Sequence, residues 1–237
     1  MKAKWNSTNS PTHSNTFIPW KILRNRMAID LNTFEKLGKK YGDVGSWAIW
    51  NPSNAKDTGI IAENMLTLKP SIVMGGLNIS AFRSETWSNF RGGKNDRKLI
   101  YAFNDSPYRG AYMTDLIKGE IEPKSYKLIQ MLRSDPVKTR KHIEVFRDEM
   151  SDIGADSQSL FILFGGYVSN LFAEHLGQNF ANSVSVPHYA RHGTDLDWLE
   201  DTWKILEDYS RESNPAFKTK ISNRNHSMRD VADRLRR

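Results

Sequence analysis

The chain has 237 residues of which 38% are hydrophobic, enough for one large buried core, and its formal net charge of +7 favours polyanionic partners such as nucleic acid. It contains no cysteine, which excludes a disulfide framework, a thiolate nucleophile, sulfur-ligated zinc and a cysteine-held iron–sulfur cluster. No stretch reaches the roughly 18 apolar residues of a membrane span, and Met1 to Asn15 is polar throughout, so a cytoplasmic protein without membrane contact is expected.

Phe17 to Met27 mixes aromatic and basic residues, and Asp30 to Lys40 reads as a short helix with Leu31, Phe34 and Leu37 at helical spacing. Gly42 and Gly45 break that pattern. Ser46 to Trp50 is a candidate strand, Asn51 to Asn54 a turn, and Thr58 to Leu68 a helix that ends before Pro70. Ser71 to Met74 is a short apolar run closed by Gly75 and Gly76, the pattern of a buried strand that ends in a loop spanning Leu77 to Ala81. A second buried strand is expected at Gly110 to Ile117, amphipathic helices at Ser125 to Leu132 and Val137 to Met150, and a further strand at Ser159 to Phe164. Gly165 and Gly166 close that strand, a helix follows over Tyr167 to Leu176, and a strand at Ser183 to Val186 runs into Pro187 and His188. Thr194 has the character of an N-cap, and Leu196, Leu199, Trp203 and Leu206 give the last helix an apolar stripe.

Strands alternating with helices indicate an α/β fold with a largely parallel sheet, which binds ligands at the carboxyl ends of its strands. The chain divides into an N-terminal extension over residues 1–40, one domain over 41–210 and a basic tail over 211–237 that holds eight Lys/Arg against three Asp/Glu. That tail is either a phosphate contact or a solvated segment. No internal repeat or dimerisation heptad is present, and a monomer is the default.

Two strand ends carry polar loops of unusual content, Gly76-Leu77-Asn78-Ile79-Ser80 and Pro187-His188-Tyr189. The first is similar to the Gly-Ile-Asn-Pro-Gly motif of the mismatch-specific uracil glycosylases, and the second to the His-Pro-Ser motif of the uracil-DNA glycosylase superfamily. Ala111 to Leu116 resembles the central strand that carries base-contacting groups, and Leu163-Phe164-Gly165-Gly166 before a helix is a further match. The resemblance runs from about Tyr41 to Leu206 in the expected order. It implies a three-layer α/β/α sandwich around a central, largely parallel four-stranded sheet, and a DNA glycosylase that flips out a pyrimidine and leaves an abasic site.

On this resemblance Asn78 positions the attacking water, and His188 donates to the leaving base as negative charge builds on its O2. Gly76 and Leu77 shape the base pocket, and Phe90 stacks on the flipped base, with Trp87 as its alternative. Thr114 and Asp115 contact the base edge. Tyr189, Arg191 and His192 face DNA, with Tyr189 or Arg191 filling the gap left by the flipped nucleotide. Each has a plainer reading from the residues alone: Asn78 as a turn residue that caps a helix, Phe90 as core, Asp115 as a cap for the segment after it, His188 as a satisfied loop histidine.

The sequence departs from the family where Ile79 and Ser80 replace Pro and Gly, where Tyr189 and Ala190 follow the histidine, and where the Asp-Pro-Tyr of the uracil enzymes is missing. These departures put uracil in doubt as the substrate and leave open a modified cytosine, such as the hydroxymethylated or glucosylated cytosine of phage DNA, in which case the protein serves antiviral defence. A non-catalytic DNA binder that keeps the fold is the alternative from a different class. No metal or cofactor is implied, since the histidines are scattered and no tight His/carboxylate spacing occurs. No lysine falls in either motif, so a monofunctional enzyme is expected.

Overall fold

The computed structural model describes residues 29–81 and 85–213, so the polar start and most of the basic tail lie outside the described residues. The chain forms strands β1 (Ser46–Trp47), β2 (Lys69–Asn78), β3 (Ala111–Ile117), β4 (Leu160–Phe164) and β5 (Ser183–Val186). Its helices are α1 (Leu31–Tyr41), α2 (Gly59–Glu63), α3 (Asp96–Phe103), α4 (Ser125–Ser134), α5 (Pro136–Ile153), α6 (Gly166–Leu176) and α7 (Asp195–Ser213), with a single 3₁₀ turn at Met65–Thr67.

The strands make one sheet in the order β1-β3-β2-β4-β5, with β2, β3, β4 and β5 parallel and β1 antiparallel to β3. The sheet therefore has five strands where the resemblance implies four. The added member is the two-residue β1, held at the edge by its pairing with Tyr112 and Met113. Helices cover both faces, which is why the parallel strands read as continuous apolar runs.

Side chains alternate between two cores, as strand geometry requires. Val73, Tyr112, Leu116, Phe161 and Leu163 pack with Phe34 and Leu37 of α1, Leu128 of α4, Phe146 and Met150 of α5 and Phe172 of α6. Ile72, Met74, Met113, Ile162, Phe164 and Val186 pack on the other face with Leu99 and Phe103 of α3 and Trp198, Leu199 and Leu206 of α7. Helix α1 belongs to the stretch set apart as an extension, and its Phe34, Leu37 and Tyr41 are buried in the first core.

Caps set the helix boundaries where the sequence marks them. Asp30 accepts from the Thr33 backbone N–H at 2.9 Å to start α1, and Asp135 accepts from the Lys138 N–H at 2.9 Å ahead of Pro136 to start α5. Thr194 accepts from the Asp197 N–H at 3.1 Å, the N-cap expected for α7. The helix expected over Thr58 to Leu68 is instead the short α2 followed by the 3₁₀ turn, and α3 falls in a stretch with no predicted element.

Strand β2 is longer than its apolar run. It was expected to stop at Met74 and continues to Asn78, because Gly75 and Gly76 remain in register with Thr114 and Asp115 of β3, and Gly75 also with Leu163 of β4. The two glycines answer crowding rather than a turn. A Cβ on Gly75 would come within 3.0 Å of Leu163 and 3.1 Å of Leu116, and one on Gly76 would collide with the Asp115 carboxylate.

Among the described residues no helix is long and apolar enough to cross a membrane.

Candidate active site

After β2 the chain leaves for α3 on one face, and after β4 it leaves for α6 on the other. Adjacent parallel strands whose connections diverge in this way open a crevice at their carboxyl ends. A cavity of about 590 Å³ lies there, lined by Gly76, Leu77 and Asn78 of β2, Asp115 of β3, Phe164 and Gly165 at the end of β4, and His188 and Tyr189 after β5. That volume is ample for a small-molecule group and exceeds what a bare pyrimidine ring fills.

Asn78 ends β2 half-buried at the cavity wall. Its amide nitrogen donates to the carbonyls of Ile79 at 3.0 Å, Glu120 at 3.1 Å and Glu122 at 2.9 Å. With the donors committed to backbone, the amide's orientation is fixed, and among the described residues no bond engages Oδ1. Among the described residues Asn78 caps no helix and is the last residue of β2, so its turn-and-cap reading does not hold there. It pins the segment after β3 and keeps a carbonyl oxygen for a ligand or a water.

His188 follows β5 and stacks on Tyr189 with ring centroids 4.6 Å apart and planes 17° apart. The Ala190 backbone N–H donates to His188 Nδ1 at 3.1 Å, so Nδ1 is an acceptor and the proton sits on Nε2. Burial pushes the imidazole below its ordinary pKa, which keeps it neutral at physiological pH. The ring is therefore a neutral N–H donor at the cavity wall.

Asp115 is 3% exposed and sits beside Gly76 in the ladder. Asn89 Nδ2 donates to its Oδ2 at 2.9 Å and also to the Val44 carbonyl at 2.8 Å. Burial pushes the Asp115 carboxyl up to about 6, opposed by the Asn89 bond and the nearby Lys118 charge. At neutral pH it is mostly an anion with one oxygen fastened and the other next to the bare Gly76 backbone. Asn89, which no motif marked as a site residue, is what holds it.

Phe90 is buried at 3% exposure, packs in the second core and still lines the cavity, so the core and stacking readings both describe it. Its φ of 58° and that of Trp87 at 65° put two large residues in the left-handed region within one loop. Trp87 does not reach the cavity. It packs edge-on against Trp47 and Tyr112 in the first core, which removes it as the stacking alternative.

Thr114 is a correction. It lies on the opposite face from Asp115, as alternation along β3 demands, and its Oγ1 donates to Glu149 of α5 at 2.8 Å. Glu149 is fully buried, accepts from Tyr112 at 2.7 Å and pairs with Lys118 at 2.6 Å. Thr114 belongs to that structural network and does not line the cavity.

The expected DNA-facing residues separate. Tyr189 is half-buried, with its ring 5.4 Å from Phe164 and 6.3 Å from Phe90, and forms cavity wall rather than a projecting wedge. Arg191 lines the rim and is ion-paired with Asp201 at 2.5 Å. His192 is exposed and outside the cavity lining. Two further features had no site role expected of them: Lys94 lines the cavity from an exposed position, and the first turn of α6 opens onto it from Gly165 with no side-chain cap. Free N–H groups and the helix dipole make that turn favourable for an anion. No group of three or more His, Asp or Glu able to hold a metal occurs among the described residues.

Comparison with protein-family models, with curated proteins and with solved structures finds no match to this chain.

Proposed function

We propose that this protein is a DNA glycosylase of the uracil-DNA glycosylase type, which draws a flipped pyrimidine nucleotide into the cavity and hydrolyses its N-glycosidic bond. The observation that carries the reading is the convergence of Asn78, His188 and Asp115 on one cavity at the carboxyl ends of β2, β3 and β5. An amide oxygen can hold an attacking water, a neutral N–H donor can stabilise a leaving base, and a buried carboxylate beside them can read the base edge.

Water held by Asn78 Oδ1 attacks C1′, the C1′–N1 bond breaks with its electron pair leaving on the base, and the sugar passes through an oxocarbenium-like state. His188 Nε2–H stabilises the charge that develops on O2 of the base, and a preoriented neutral donor serves this without a proton transfer. The proton lost by the water ends on the departing base or in solvent. The uncapped turn of α6 favours a flanking phosphate or the anionic base. Phe90 offers the aromatic surface against which an extruded base stacks.

Asp115 bears on which base is taken. As a carboxylate it accepts from the exocyclic amine of a 4-aminopyrimidine and repels the O4 of uracil, so it favours a cytosine derivative over uracil. The size of the cavity supports a substituent on that ring, such as a hydroxymethyl or glucosylated hydroxymethyl group. An enzyme with this preference acts in defence against DNA that carries such bases rather than in uracil repair. Lys94 is exposed at the cavity edge, which suits a phosphate contact better than a covalent role, and the product is an intact abasic site.

Replacing Asn78 by Ala or His188 by Ala tests the reading. Each variant should lower single-turnover base release by about a hundredfold or more while DNA affinity changes little. Full activity in both variants would remove these residues from the mechanism. Unchanged binding with no base release by the wild-type protein would instead leave a non-catalytic binder.

A further inference from the structure

A glycosylase that acts on duplex DNA must fill the gap left in the stack by the extruded nucleotide, and the fold commits the expected side chains elsewhere. Tyr189 is packed between Phe164 and Phe90, and Arg191 is held by Asp201. The opposite rim of the cavity carries a different candidate. Glu122, Pro123 and Ser125, on the segment between β3 and α4, line the cavity, while Ile121 beside them is 53% exposed.

Exposure alone would be unremarkable for one isoleucine. The way this one is held is what sets it apart. Asn78 Nδ2 reaches out of the site to the carbonyls of Glu120 and Glu122, the residues on either side of Ile121. The Glu120 carboxylate is tied to Lys138 at 2.6 Å and faces His142 at 3.8 Å, and Glu122 accepts from the Lys124 N–H at 2.8 Å. An exposed apolar side chain thus sits on a backbone clamped at both neighbours, next to the cavity-lining Glu122, and one clamp is the amide assigned to the attacking water. Lys138 offsets the charge of Glu120, Lys94 lines the cavity from an exposed position, and Lys124 and Lys127 are exposed on the same segment as Pro123 and Ser125.

We propose that Ile121 is the wedge: it enters the base stack of duplex DNA and occupies the space of the extruded nucleotide while Asn78 couples its position to the reaction centre. This rests on the glycosylase reading above, and it makes duplex and single-stranded substrates differ, since only the duplex has a stack to fill.

The test compares the full-length wild-type protein with Ile121→Ala and Ile121→Phe on two oligonucleotides containing hydroxymethylcytosine, one single-stranded and one duplex. A 2-aminopurine placed next to the target reports unstacking independently of chemistry. Ile121→Ala is expected to slow release from the duplex roughly tenfold and abolish most of the fluorescence rise, leave single-stranded release and the melting temperature unchanged, and be rescued by Ile121→Phe. Equal loss on both strands, or no loss on either, overturns the wedge while leaving the hydrolytic reading standing. Unstacking by wild type that depends on Ile121 without base release supports the wedge and removes the hydrolysis. Neither unstacking nor release by wild type overturns both.

Discussion

The Asp115 carboxyl is buried beside Gly76 and fastened by Asn89, and burial pushes its pKa from 3.8 up to about 6. A buried acid that gains protons on folding lends stability that is present in full below the unfolded pKa and is lost as pH rises through the folded one. The wild-type protein therefore carries a penalty above pH 6 that an amide at this position would not. Asp115→Asn should be more stable than wild type at pH 8 by up to an order of 3 kcal/mol, with the gain shrinking below pH 6, as read by urea unfolding at several pH values. A difference that does not vary with pH would mean that the carboxyl titrates normally. The same substitution replaces a bare acceptor with a group that also donates, so on the proposed function discrimination against uracil should fall in parallel. Of the residues in the site, Asn78 and His188 were legible because one ends a strand and the other follows one, each within a distinctive short motif. Thr114 was misplaced because adjacency in sequence is opposition in a strand, and Asn89 was missed because its role depends on a contact with a residue 26 positions away.

At the scale of elements, the strands were visible where an apolar run ends in glycine, and Ser183–Val186 coincides with its expected span. The end of β2 was not visible, since Gly75 and Gly76 look like a turn and are in fact required by Leu163, Leu116 and Asp115 across the ladder. Helix α3 escaped notice because its inward face includes Lys98, which is 3% exposed and lies 3.7 Å from Asp195 at the start of α7, so its periodicity is not apolar. The loop that carries Phe90 is held by Arg91, itself 2% exposed. The guanidinium donates to the carbonyls of Trp87 at 3.1 Å, Asp57 at 3.1 Å and Trp47 at 3.0 Å, to that of Ile49, and to Ser46 Oγ at 3.2 Å. It joins β1, the turn before α2 and the two left-handed residues Trp87 and Phe90 into one unit. Arg91→Ala strands several buried acceptors and should cost about 3 kcal/mol or more in unfolding free energy. Arg91→Lys should recover little of this, because an ammonium cannot present the same fork of donors. Denaturant midpoints of the three proteins check both statements, and a loss well under 1 kcal/mol for the Ala variant would show that the loop is held without Arg91.

Across the whole molecule, the α/β class and the parallel character of the sheet followed from the alternation of strands and helices, and the location of the site followed from the rule that such sheets open at their carboxyl ends. The fifth strand lay in the residues themselves, at Ser46 to Trp50, although the resemblance implied four. On the proposed function, the net charge of +7 predicts that DNA binding is driven largely by counterion release. The logarithm of affinity should fall linearly with the logarithm of salt concentration, by fluorescence anisotropy, and with a similar slope for any DNA sequence. A flat salt response would mean that the positive charge does not face DNA.

Base release by the wild-type protein is the most direct test of the glycosylase account. Matched oligonucleotides carrying uracil, thymine opposite guanine, cytosine, hydroxymethylcytosine or glucosylated hydroxymethylcytosine are incubated with the protein and abasic sites are revealed by hot alkali. Cleavage at a cytosine derivative, with uracil untouched, is the result that Asn78, His188 and Asp115 predict together. Cleavage confined to uracil would contradict the role given to Asp115, and no cleavage on any of them, with DNA still bound, would contradict the glycosylase itself.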